Sequence, residues 1–266
     1  VKEVLQPGPA EALSSLLDVE MPDLERDGLP LLWHWFYLLD RPAQADLGPD
    51  GHPVRATIPA PPEPGRRRMW AGGRVRTLGP LLCGLPATRR TEVLSVQEKQ
   101  GRTGRLTFVV TRHEIVQDGR VVVDEEQDLV YRDAASRPAE PATEEPEVPV
   151  AEGEWAIDVS PTLLFRFSAL TYNAHRIHYD RDYVRDVEGY PGLLTHGPLQ
   201  ALAMAEAARR RGSGGELAFD YRLVSPLFDH QGMVVRAEAG ADGTVTAVRD
   251  RHGRRTATGT VRSLVR

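Results

Sequence analysis

Alternating hydrophobic and polar positions divide this chain into two sets of strands. Before residue 135, Thr91–Gln97, Arg105–Val116 and Arg120–Tyr131 read as strands, and Asp118-Gly119 is suited to a tight hairpin between the last two. After residue 215 the same reading covers Glu216–Val224, Met233–Ala239, Thr244–Arg249 and Thr256–Leu264, with Asp242-Gly243 at a turn. Between the sets, Leu199, Leu202, Ala203, Ala205 and Ala207 recur with helical spacing. They predict a helix from about Gly197 to Arg211, stopped by Gly212-Ser-Gly-Gly215. Ser160-Pro161 marks the start of a shorter helix, and Ala10–Leu17 and Leu31–Leu39 are helical candidates near the amino end. Residues 136–153 (SRPAEPATEEPEVPVAEG) carry neither apolar period, which predicts a solvated linker between domains at 1–135 and 154–266. Each set of strands is entered through a similar hexapeptide, Arg76-Thr-Leu-Gly-Pro-Leu81 and Arg222-Leu-Val-Ser-Pro-Leu227, which together with the matching hairpins favours two copies of one fold.

Composition then narrows the function classes. A formal net charge of −5 over 266 residues disfavours a nucleic-acid partner, because phosphate binding needs a basic face. Cys83 is the sole cysteine, so an internal disulfide and a multi-thiolate metal centre are both excluded, in keeping with a reducing compartment. No apolar run approaches the roughly 20 residues a bilayer requires. These features predict a soluble, cytoplasmic protein with no membrane partner; an organellar enzyme shorn of its presequence is the other possibility. A phosphate-cradling P-loop and a Rossmann glycine fingerprint are both missing from the sequence, so no nucleotide cofactor is expected.

Candidate chemistry gathers between Tyr172 and Leu199. Asn173 and His178 stand five residues apart, and His196-Gly197 falls where the helical pattern begins. A carboxamide, an imidazole that titrates near neutrality and a helix start with unpaired N–H groups are the parts needed to move water on or off a polarised double bond. Asn173 is also compatible with simply capping a turn, and Gly197 with an ordinary helix start. His175 and His178 have no third ligand at compatible spacing, so no metal is expected. Arg66-Arg-Arg68, Trp70 and Gly72-Gly73 form a second cluster, either a solvated charge run or a wall where cations meet phosphates or a carboxylate. Trp33-His-Trp-Phe-Tyr37 reads as core, and Arg209–Arg211 as a complement to the helix dipole.

The run Arg166-Phe-Ser-Ala-Leu-Thr-Tyr-Asn173-Ala-His-Arg-Ile-His178-Tyr-Asp180, followed by Leu194-Thr-His-Gly-Pro198, resembles the hydratase segment of the MaoC-like hot-dog superfamily. Leu31–Tyr37 and Arg67-Arg-Met-Trp-Ala-Gly-Gly73 are similar to amino-terminal signatures of one branch of it. That branch holds mitochondrial 3-hydroxyacyl-thioester dehydratase type 2 and the bacterial mesaconyl-C4-CoA and itaconyl-CoA hydratases. The resemblance implies an α+β double hot-dog: two antiparallel sheets, each around a central helix, with the amino-terminal half degenerate and shaping a substrate tunnel. It implies a hydro-lyase for enoyl thioesters in which Asn173 and His178 hold the water and the Gly197 N–H receives the thioester oxygen. Many members carry aspartate where this chain has Asn173, which puts a two-base mechanism in doubt. Arg68, Trp70, Gly72, Gly73, Arg176 and His196 are the expected substrate-binding residues, Arg176 either for a second acyl carboxylate or as a partner of Asp180 or Asp182. The expected partner is an acyl-CoA, first a short branched dicarboxylic unit such as mesaconyl-C4-CoA or itaconyl-CoA, with an acyl-carrier-protein thioester as alternative; a homodimer is plausible by analogy. Two rivals share the fold: a thioesterase using Glu206, and a non-catalytic acyl-binding subunit.

Overall fold

A computed structural model describes residues 1–54, 66–101, 104–133 and 146–264. Ten strands form one antiparallel sheet: β1 (Lys2–Val4), β2 (Arg66–Thr77), β3 (Pro86–Gly101), β4 (Gly104–Gln117), β5 (Arg120–Asp133), β6 (Trp155–Ile157), β7 (Leu217–Leu223), β8 (Met233–Gly240), β9 (Gly243–Arg249) and β10 (Arg255–Ser263). Their order is β1-β3-β4-β5-β2-β7-β10-β9-β8-β6. The first five strands and the last five follow the same path, mirrored about the β2–β7 pair, where Val75 lies opposite Phe219. The hexapeptides leave β2 and β7 at equivalent places, so the internal echo marks a true structural repeat. The expected two sheets are thus continuous, and the architecture is an α+β double hot-dog.

Each half opens with a three-residue edge strand and a ten-residue helix, α1 (Gly8–Leu17) and α2 (Pro161–Leu170), which pack against one another. The Ser160 hydroxyl caps α2 by accepting the Leu163 N–H at 3.2 Å, as its position before a proline predicts. A six-residue helix, α3 (Arg181–Asp186), precedes the long helix α4 (Gly197–Arg209). Residues 199–208 of α4 are all buried, because the β8–β10 face covers one side and the amino-terminal half the other. Ten buried residues in succession explain why α4 has little amphipathic contrast: a helix apolar all round belongs inside.

The amino-terminal half departs from the expectation at residues 31–39. Only Trp33–Phe36 is helical, as a 3₁₀ turn, bounded by Leu32 and Leu38 at positive φ (71° and 53°). Side chains explain the interruption: Trp33 Nε1 donates to Glu206 at 2.6 Å, while His34 Nε2 and Trp35 Nε1 both meet Glu125 at 2.9 Å. Satisfying two buried carboxylates on opposite sides sets the turn's geometry over a continued helix. The proposed linker lies partly outside the described residues; of the remainder, Val148 N–H bonds Arg251 O at 2.7 Å and Arg249 donates to Pro149 O at 3.0 Å, so this stretch is tied to the β9 end.

Candidate active site

A cavity of about 580 Å³ lies between the halves. Its wall includes Asn173, Ala174, Ser168 and Pro198 from the carboxy-terminal half and His34, Trp35, His52, Arg68, Trp70, Arg89, His113, Glu125 and Gln127 from the other. The amino-terminal half also contributes Leu39, Pro42, Leu47, Pro53 and Ile115, so the wall mixes polar groups with apolar surface.

The loop after α2 places Asn173 and His178. Tyr172 at φ 52° turns the chain, and Asn173 Oδ1 accepts the His175 N–H at 3.0 Å, so the carboxamide oxygen does cap a turn. Its amide nitrogen is left for the cavity. His178 sits in a 3₁₀ turn, Arg176–His178, and is only 7% exposed. Its Nδ1 faces the Leu194 carbonyl at 2.8 Å, which makes Nδ1 the protonated nitrogen and leaves a lone pair on Nε2. Burial, with a lesser push from His52, lowers its pKa from 6.5 to about 4, against the opposing bond to Leu194. The ring is therefore a neutral acceptor at pH 7.

His196 stacks on His178 with centroids 3.6 Å apart, is fully buried, and meets the Ser168 hydroxyl at 2.8 Å through Nε2. It supports the His178 ring and hydrogen-bonds inward to Ser168, so its place among substrate-binding residues is withdrawn; His178 and Gly197 likewise stand behind the cavity-lining residues, next to Tyr179 and Pro198 in the chain. Gly197 is the first residue of α4, and its N–H has no acceptor among the described residues. Leu223 Cδ1 comes within 2.2 Å of where a Cβ would stand, so a side chain there requires Leu223 to move.

Other expectations divide. Arg68 and Trp70 do line the cavity, and Trp70 Nε1 donates to the Tyr221 hydroxyl at 2.9 Å. Arg89 there pairs with Asp40, whereas Arg68 makes no ion pair within the described residues. Gly72 and Gly73 serve the sheet. A Cβ on Gly72 would lie 2.4 Å from the Tyr221 carbonyl and one on Gly73 2.6 Å from the Glu126 carbonyl, beside the bulge at Trp70/Gly72, so these glycines let β7 approach and do not bind substrate. Arg176 is spent as well: it bonds Asp180 through Nε and Nη2 (3.0 and 2.8 Å), donates to the Pro49 carbonyl at 2.9 Å, and lies over the Tyr183 ring. It clasps two loops and is not among the cavity-lining residues. Glu206 is 1% exposed and held by Trp33 and by Arg209 at 2.8 Å, which removes the carboxylate the thioesterase rival needs.

Sequence reasoning missed the loop at residues 47–54. Asp50 O accepts the Arg176 N–H at 2.9 Å, and Gly51, at φ 87°, presses so closely that the Ala174 carbonyl oxygen lies 1.8 Å from a would-be Cβ. His52 Nδ1 meets Asp50 Oδ2 at 3.1 Å, and its ring is 3.9 Å from that of His175. Burial tends to raise the Asp50 pKa, but the bonds from His52 prevail and hold it low. Ligand atoms of Asp50, His52 and His175 all lie within 4.8 Å of one another, close enough to share a cation. The Arg68 charge bears on both histidines and lowers their basicity. The Asp-Gly-His tripeptide was the only available signal, since nothing local ties residue 52 to residue 175.

The double hot-dog sets the Asn173 carboxamide on the wall of a cavity between the halves, with the His178 imidazole on the same loop. The hydroxyacyl-thioester dehydratase type 2 family matches residues 32–229, and the chain belongs to it. It is 45% identical to the mesaconyl-C4-CoA hydratase of Chloroflexus aurantiacus, over 83% of this chain and 79% of that one. Identity to the mitochondrial hydroxyacyl-thioester dehydratase type 2 of Schizosaccharomyces pombe is 24%, over 87% of both. The solved structure of HtdX from Mycobacterium tuberculosis shares the fold, with a TM-score of 0.69 at 15% identity, covering 99% of this chain and 98% of that one. The protein is thus a hydro-lyase of the acyl-thioester type. No helix among the described residues is long and apolar enough to cross a membrane.

Proposed function

We propose that the protein reversibly hydrates an α,β-unsaturated acyl-CoA to its 3-hydroxyacyl form, with mesaconyl-C4-CoA as first substrate and a linear enoyl-CoA as second. The observation that carries this reading is the fixed tautomer of His178, whose Nδ1–H is committed to Leu194 so that Nε2 is left as the acceptor, on the same loop as the cavity-lining Asn173. In the hydration direction Nε2 takes a proton from water as its oxygen bonds the β-carbon. The Asn173 amide nitrogen orients that water, and charge gathering on the thioester oxygen is received by the Gly197 N–H at the α4 start. Removing one such donor typically costs about 3 kcal/mol of transition-state stabilisation.

The cations on the cavity wall support a dicarboxylic acyl group. Arg68 and Arg89 stand among apolar neighbours such as Leu39, Ile115 and Trp70, which would take up the methyl branch. In mesaconyl-C4-CoA the free carboxylate is attached to the carbon that accepts water, so its cation must lie beside the base. Arg68, with no ion pair among the described residues and its charge felt by His175, suits that duty. Purified protein should bleach the enoyl absorbance of mesaconyl-C4-CoA, and more slowly that of crotonyl-CoA, without releasing thiol. Thiol release would point to a thioesterase, inertness toward every enoyl-CoA to a binding subunit, and faster turnover of the matching acyl-carrier-protein thioester would reassign the carrier.

A further inference from the structure

A helix on a protein surface turns its apolar stripe inward and its polar side to water. Helix α2 departs from that pattern where it meets the cavity. Leu163, Leu164 and Phe167 are buried as expected, yet Phe165 is 62% exposed, Ala169 is exposed, and Tyr172, just past the helix end, is 55% exposed. Positions 165, 169 and 172 are four and three residues apart, so they form one stripe, and all three line the cavity. Tyr179 also lines it, 44% exposed and held through its hydroxyl to the Ala174 carbonyl at 3.0 Å. The stripe is therefore the lip of the cavity. Three exposed aromatic rings around one opening form an apolar patch of the kind that marks a binding surface. Arg166, beside Phe165, is the only charged residue on α2; it is exposed and pairs with no carboxylate among the described residues. Arg41 is in the same state on the 39–47 loop, which lines the same cavity through Leu39, Pro42 and Leu47.

We propose that this lip is the docking surface for the nucleotide end of coenzyme A: the pantetheine arm lies along Tyr172 and Ala169, the adenine stacks on Phe165, and Arg166 and Arg41 meet the phosphates. The proposal rests on the acyl-CoA reading above. Dimensions agree with it. Asn173 follows Tyr172 directly, which sets the reacting double bond at the inner end of the stripe. Tyr172 and Phe165 are seven residues apart, about 10 Å along the helix axis. The arm has the length of roughly four residues of extended chain, on the order of 14 Å. A thioester beside Asn173 thus delivers its nucleotide to Phe165. The side chains suit each part: alanine at 169 lets a thin arm lie against the helix, a ring face is all that purine stacking needs, and arginine binds phosphate by forked hydrogen bonds. A carrier protein would instead dock over a broad face by complementary charge. Cations beyond the lip are already neutralised within the chain, Arg176 by Asp180, Arg181 by Asp229 and Arg185 by Asp182 and Asp186, which favours the small nucleotide.

The test uses the full chain with crotonyl thioesters of CoA and of pantetheine, and with binding of adenosine 3′,5′-bisphosphate as a readout independent of turnover. Wild type should have a KM about 10-fold or more lower for the CoA thioester than for the pantetheine one. Phe165→Ser should narrow that gap by about 10-fold, as the loss of one stacked base requires, and weaken the bisphosphate by a similar factor. Arg166→Gln should weaken the bisphosphate about three-fold at low salt and less at high salt, because an exposed charge pair is screened. Ala169→Glu, which puts a larger side chain in the path of the arm, should raise KM for both thioesters. All three positions are exposed, so the variants should fold, with circular dichroism as the check. Equal KM values for the two thioesters in wild type, or a Phe165→Ser protein that keeps the whole gap, overturns the proposal. So does a lower KM for the carrier-protein thioester that Phe165→Ser raises, or a smaller oligomer in that variant, since either gives the lip to another occupant. Wild type that binds the bisphosphate through Phe165 yet turns over no enoyl-CoA would sink the hydration reading and leave the docking surface standing.

Discussion

Replacing Gly51 by alanine tests whether the two halves share one active site. The new Cβ would lie 1.8 Å from the Ala174 carbonyl oxygen, 1.2 Å inside the 3.0 Å that real Cβ contacts respect. Both atoms flanking the clash are backbone, so relief requires the 47–54 loop and the 173–178 loop to separate. At φ 87° the alanine is also in left-handed space, at about 1–2 kcal/mol. Separation stretches the 2.9 Å bond between Arg176 N–H and Asp50 O beyond use, for about 1 kcal/mol more. The total is roughly 2–3 kcal/mol, or a Tm lower by about 5–10 °C for a chain of this size. Displacement of about 1 Å at a proton-transfer site costs on the order of 10²-fold in rate. Differential scanning calorimetry reads the first quantity and enoyl-CoA turnover the second. A Gly51→Ala protein with unchanged Tm and kcat would refute the close packing of these loops and, with it, any role for the amino-terminal loop in catalysis.

Other outcomes follow from the same geometry. His178→Gln should lose about 10²- to 10⁴-fold in kcat, and Asn173→Ala about 10²-fold, with a wild-type-like Asn173→Ala contradicting its water-holding role. Asn173→Asp asks whether the site accepts a carboxylate at this position; activity at or above wild type would say that it does. Acid should weaken the fold through the buried imidazoles. The His178 pKa is lower folded (about 4) than unfolded (6.5), so the unfolded chain binds the extra proton between those values. Its share of stability is intact above pH 6.5, erodes as pH falls, and is fully lost below pH 4, to a ceiling of roughly 3 kcal/mol. Urea midpoints above pH 6.5 and near pH 4 measure this, and a His178→Gln variant whose midpoint falls just as steeply would refute the assignment.

Strands β3, β4, β5, β7, β8, β9 and β10 and helix α4 were legible because period and turn chemistry are local. Asp118-Gly119 closes the β4–β5 hairpin at Gln117 and Arg120, and the Met233–Ala239 and Thr244–Arg249 readings match β8 and β9 within a residue. Strand β2 escaped notice, for three arginines and two glycines erase its alternation. It is a strand because β5 and β7 pair with it on both sides, and the glycines are there to admit Tyr221. Arg176 was legible in part: its pairing with Asp180 was one of the readings open from the sequence, whereas its other contact, the Pro49 carbonyl, comes from the other half.

What the amino-acid sequence settled by itself was the repeated strand set, the buried helix and the Asn173, His178 and Gly197 spacing that marks the family. Each depends on residues close along the chain, where side-chain period and backbone preference leave little choice. The union of both halves into one sheet, the tautomer of His178 and the arrival of Asp50 and His52 beside it were decided only in three dimensions. The tautomer is set by a carbonyl sixteen positions away, and the other two arise from contacts between residues more than a hundred positions apart, whose pairing depends on how the buried faces close over one another and leaves no trace in any local pattern.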